Sequence, residues 1–168
     1  MEIYEGVQLS LGGMSKKEKK LAASVALQLL SMCNGNAGLE DKVQVVKTEF
    51  DRVDSVNSMV SNLQQLMLNK VLHTTRAMDT GMKTFLEING VIPSGHSMGN
   101  YLSDLRRGKI GKFGRLNGDL SQRIQNAVVD KRNKFMHAAG AYPTKSEAEQ
   151  IASDVASYLQ TIINLAAG

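Results

Sequence analysis

The chain has 168 residues, 42% of them hydrophobic, with two prolines, one cysteine, no tryptophan and a net charge of +4. That length and apolar content suit one globular domain over residues 1–168 with a buried core, and exclude a disordered chain. The lone Cys33 excludes an internal disulfide framework, and no apolar run approaches the ~20 residues that span a bilayer.

The first residues, Met1-Glu2-Ile3-Tyr4-Glu5, are acidic and lack a signal peptide's basic start and apolar core, so a cytoplasmic location and no membrane partner are expected. A first helix is predicted over about 15–33. Ser15 is its N-cap, with Glu18 at capping-box spacing, and Leu21, Val25, Leu29 and Met32 form its apolar face. Cys33, among apolar residues, reads as a buried thiol. Asn34-Gly35-Asn36-Ala37-Gly38 breaks the helix. From about Leu39 to Ala77 neither Gly nor Pro occurs, and one long helix is predicted, on the order of 55 Å. Val43, Val46, Phe50, Val53, Val60, Met67 and Val71 give it a seam. Val56, Met59, Leu63 and Leu66 widen that seam into the broad face of a bundle helix.

Between Gly81 and Gly95 the pattern is mixed: a short helix near 82–88, then a turn through Asn89-Gly90 and Pro93-Ser94-Gly95. Residues 97–107 read as another short helix. The stretch from Arg107 to Arg115, basic and punctuated by glycine, reads as a loop. A further helix is predicted over about 119–139, with Ile124, Ala127, Val128, Phe135 and Ala138 as its stripe and Gly140 and Pro143 as its stop. Thr144-Lys145-Ser146-Glu147 is a second capping box. It opens a last helix to about 166, with Ile151, Val155, Tyr158, Leu159, Ile162 and Leu165 inward. The expectation is an all-α bundle of four to five main helices with short extra ones.

The charge is uneven. From Arg106 to Lys134 nine Lys and Arg face two acids, Asp119 and Asp130, which makes that segment +7 and leaves −3 for the rest. Such a local excess suits a phosphate-bearing partner, although a solvated basic face needs none. Within it, Lys131-Arg132-Asn133-Lys134-Phe135-Met136-His137 combines the residue types that metal-free RNA cleavage uses. There the substrate's 2′-hydroxyl is the nucleophile. A histidine moves the proton near neutral pH, and an arginine holds the phosphate oxygens bidentately as charge builds. Asn133 adds a hydrogen bond to phosphate or imidazole. Residues five apart on an ideal helix are turned by about 140° and raised about 7.5 Å. Arg132 and His137 therefore converge only if the helix frays at His137 or if two copies of the motif meet across a two-fold axis. The plain alternative is a surface arginine and a histidine at a helix C-terminus, stabilised there as a cation.

Arg132-Asn133-x-x-x-His137, followed by Ala138-Ala139-Gly140-x-Tyr142-Pro143-Thr144 and a final amphipathic helix, resembles the higher eukaryotes and prokaryotes nucleotide-binding (HEPN) superfamily, most closely over 119–165. The resemblance implies a helical bundle that dimerises around the motif helix, and a metal-independent endoribonuclease with a composite cleft. Arg132 would bind the scissile phosphate, His137 shuttle the proton and Asn133 assist, leaving a 2′,3′-cyclic phosphate. It implies RNA as substrate, transfer RNA among the candidates, and a toxin or antiviral-defence role beside a nucleotidyltransferase-type antitoxin or other regulator.

Auxiliary RNA contacts are expected from Arg106, Arg107, Lys109, Lys112 and Arg115 of the basic loop, with Phe113 as a stacking ring. Lys131, Lys134 and Tyr142 flank the motif. No cofactor is expected, and no metal, since His73 and His96 have no ligand at metal-site spacing. Two other readings stay open: a catalytically silent HEPN binding or scaffold module, and a regulator in which Arg132 and the basic loop hold a nucleotide phosphate.

Overall fold

A computed structural model of the chain describes residues 14–55, 62–108 and 113–167. Among these residues no β-strand forms, and no helix is long and apolar enough to cross a membrane. The elements are α1 (Lys16–Met32), α2 (Ala37–Ser55), α3 (Leu63–Ile88), α4 (Met98–Arg107), α5 (Gly118–Ile124), a π-helical turn (Gln125–Val129), α6 (Asp130–His137) and α7 (Lys145–Asn164), with a closing 3-10 turn over Leu165–Ala167.

Both predicted capping boxes form. Ser15 and Glu18 open α1, and Thr144 and Glu147 open α7, each cap side chain accepting from the N3 amide while the N3 carboxylate accepts from the cap amide. These exchanges satisfy N–H groups that a helix start otherwise leaves without partners.

The long helix expected over 39–77 is two. Helix α2 ends at Ser55 and α3 starts at Leu63, where Asn62 takes extended backbone angles and its side chain accepts from the Gln64 amide. An asparagine at that spacing is a strong N-cap, and it stands inside a window that lacks the Gly and Pro usually taken as breaks. Val56, Met59 and Val60 of the expected seam lie outside the described residues. Helix α3 then runs through 82–88 as its own last turns, where a separate short helix was expected.

Helices α2 and α3 are antiparallel neighbours. Lys42 near the start of α2 pairs with Glu87 near the end of α3 at 2.5 Å, and Glu49 accepts from His73 Nδ1 at 2.7 Å and from Arg52 at 3.1 Å. Helix α3 is the central rod: Val71, Ala77, Met78, Met82, Phe85 and Leu86 are all fully buried. Burial of a side chain of the larger apolar types contributes roughly 1.5–3 kcal/mol. Helix α7 packs on α3 through Leu159, whose methyl groups fill the place a Cβ at Gly81 would take, at 2.7 Å. Reciprocal amide bonds between Gln28 and Gln160 tie α1 to α7. Cys33 is buried as expected, and desolvation, then Glu40, pushes its thiol pKa up.

The connection from α3 to α4 is set by two contacts. Asp104, buried on α4, accepts from the Ser94 amide at 2.8 Å. Gly95 lies so close to Asn100 that a Cβ would stand 2.5 Å from its Oδ1. This seats the loop against α4 and fixes where His96 emerges.

Candidate functional site

Arg132 and Asn133 lie in the first turn of α6, about the fourth turn of the helical run that begins at Gly118. They line an open hollow of about 310 Å³ whose other walls are Asp79 of α3, His96, the first residues of α4 (Ser97, Met98 and Gly99), and Gln125 and Val129. The last two are the ends of the π-helical turn. Such single π turns inside α-helices often mark functional sites. Arg132 is half-buried, and its guanidinium donates to Asn133 Oδ1 at 3.0 Å. Ser97 caps α4 through the Asn100 amide, so the amides of Met98 and Gly99 have no acceptor within the helix. The hollow thus gathers a guanidinium and the start of a helix, groups that suit an anion, beside the Asp79 carboxyl.

A second hollow of about 320 Å³ adjoins the first and shares Asp79 and His96 with it. Lys42, Lys83, Thr80, Thr84 and Tyr101 complete it. Lys42 is already engaged by Glu87, whereas Lys83 forms no ion pair among the described residues. Burial raises the Asp79 carboxyl above its usual pKa, against the opposing pull of Arg132 and then Lys83. Tyr101 is pushed up by burial and by the nearby Asp79 and Glu87 charges. The Thr84 hydroxyl is buried and finds no hydrogen-bond partner among the described residues.

His137 is the last residue of α6 and is exposed, and it is not among the residues lining either hollow. The helix stays α-helical to that point and turns extended at Ala138, so no fraying brings His137 round to Arg132 within one chain. Gly140 takes a positive φ of 75° just beyond. The chain itself brings Arg132 together with His96 and Asp79, neither of which the sequence singled out as a site residue. His96 has no spacing signal, because its position is set by the seating of its loop on α4. Asp79 resembles any helix carboxylate until the fold half-buries it.

The auxiliary residues divide. Phe113 is not an exposed stacking ring. It is 8% exposed and packs edge-on against Phe85, centroids 5.4 Å apart at 73°, so it offers no face to a base. The segment after it is pinned, Gly114 N–H donating to Leu165 O at 2.8 Å and Leu116 N–H to Leu105 O at 2.9 Å. An apolar ring beside a central helix gains more by burial than by waiting in water, whatever the charge of its neighbours. Lys109 and Lys112 lie outside the described residues. Arg106 and Arg115 are exposed, and Arg107 is exposed with its guanidinium 3.8 Å from Asp104.

Lys131 and Lys134 stand near the start of α7. Glu147 there is held below the usual carboxylate range, first by the Thr144 amide, with smaller contributions from the Thr144 hydroxyl, Lys134 and Lys131. Lys134 also lies over the Phe135 ring at 5.4 Å. Tyr142 is exposed. Among the described residues no three His, Cys, Asp or Glu side chains gather closely enough to hold a metal ion. Set against models of known families, curated proteins and solved structures, the chain matches none.

Proposed function

We propose that this chain is a metal-independent endoribonuclease of the HEPN type, working as a homodimer in the cytoplasm. The observation that carries the reading is Arg132, half-buried in the wall of an open hollow, on the same short helix that ends in an exposed His137. A two-fold axis passing beside α6 sets each chain's His137 toward its partner's Arg132, which one chain alone does not do. In that cleft the ribose 2′-oxygen attacks phosphorus as a histidine takes its proton. Arg132 holds the non-bridging oxygens, Asn133 steadies the guanidinium, and the same histidine, now protonated, passes the proton on to the leaving 5′-oxygen. The products are a 2′,3′-cyclic phosphate and a 5′-hydroxyl. A free nuclease of this kind is toxic, so a toxin or antiviral-defence role with a nucleotidyltransferase-type antitoxin fits the same reading.

The test is cleavage of total transfer RNA by purified protein in EDTA, with His137→Ala and Arg132→Ala beside it. Wild type is expected to leave cyclic-phosphate ends, and each variant to lose at least about 100-fold in rate. Tight RNA binding by all three without cleavage would leave the silent binding module as the better reading.

A further inference from the structure

The two adjoining hollows carry an alternation of charge: Arg132 in the first, Asp79 shared by both, Lys83 in the second. Asp79 and Lys83 are one turn apart on α3, about 6 Å along its axis. A single RNA strand presents the complementary alternation, phosphate, then ribose hydroxyl, then phosphate. We infer that the second hollow is a subsite for the same strand, in which Lys83 takes the phosphate next to the one held by Arg132 and Asp79 accepts a hydrogen bond from the 2′-hydroxyl between them. Identification of the polymer as RNA rests on the ribonuclease reading; the arrangement of the subsite does not.

Lys83 suits the role because, unlike Lys42, it forms no ion pair among the described residues. His96, exposed at the junction of the hollows, is a further donor to the backbone. A carboxylate between two phosphates repels them and is tolerated only where it gains a donor. RNA supplies that donor and DNA does not, so Asp79 makes the groove selective for ribose.

The experiment is binding of a short fluorescent single-stranded RNA of mixed sequence, and of the DNA of the same sequence, at several salt concentrations. All proteins carry His137→Ala, which keeps the RNA intact and lies outside the hollows. Lys83→Gln is expected to weaken RNA binding by on the order of tenfold and to reduce the salt slope by about 0.7, one phosphate contact on a single strand. Lys83→Arg is expected to restore both. Asp79→Ala is expected to bring the RNA-to-DNA affinity ratio close to one. Asp79→Asn, of equal size, is expected to retain part of it and covers the case in which the alanine variant does not fold. An unchanged salt slope in Lys83→Gln, or an unchanged ratio in every folded Asp79 variant, overturns the subsite. These outcomes are read without turnover, so loss of the nuclease reading in the EDTA assay is a separate result.

Discussion

Asp79 sits where a carboxylate is least comfortable, half-buried on the central helix, and its pKa is raised by desolvation despite Arg132 and Lys83 nearby. A carboxyl whose folded pKa lies above its unfolded one favours folding only while protonated. That contribution is complete below the ordinary value of 3.8 and is lost as pH rises through the raised folded value. Above that raised value the ionised Asp79 is therefore a net burden on the fold. Asp79→Asn is expected to raise the melting temperature at pH 7, and the gain over wild type is expected to vanish as pH falls toward 3.5. Thermal melts of both proteins across that range check it, and a variant less stable than wild type at pH 7 would show the Arg132 and Lys83 attractions to outweigh burial. A residue kept at the expense of stability is expected where function needs it. None of this is legible in the sequence, where Asp79 stands among ordinary helix residues. Arg132 and His137 stand out as candidates in the sequence because residue type and spacing alone mark them.

At the scale of elements, local signals are read well and interruptions badly. The two Ser/Thr-x-x-Glu boxes name their helices to the residue, since both halves of the exchange lie within one turn. The break between α2 and α3 escapes because Asn62 does the work that Gly and Pro usually signal. The π-helical turn at Gln125–Val129 escapes as well, for its residues are those of any α-helix. Phe113 departs from the exposed ring its sequence suggests because its basic neighbours describe the loop and not the ring's destination beside Phe85. The α7 box has a measurable consequence. Thr144→Ala removes the acceptor for the Glu147 amide and is expected to cost about 1 kcal/mol, roughly 2–4 °C in melting temperature for a chain of this size. Helix α7 packs on both α1 and α3, so the loss should appear in the global unfolding transition and not as local fraying. Equal melting temperatures in calorimetry would show that Glu147, Lys131 and Lys134 hold that end without the cap.

For the whole molecule, the decisive geometry is the separation of Arg132 and His137. The fold places one on the wall of a hollow and leaves the other exposed at the helix end. A monomeric site would have to draw its proton shuttle from His96, which already shares the hollow with Arg132. A composite site draws it from a second copy. Mixing two inactive proteins separates these cases. Arg132→Ala supplies an intact His137, and His137→Ala supplies an intact Arg132. If the working pair is formed between chains, co-refolded mixtures will contain heterodimers with one complete pair, and cleavage of RNA in EDTA is expected to return to a measurable fraction of the wild-type rate. If both residues must come from one chain, the mixture stays as inactive as its parts. If His96 is the shuttle, His137→Ala is active before any mixing, and His96→Ala is the variant that abolishes turnover.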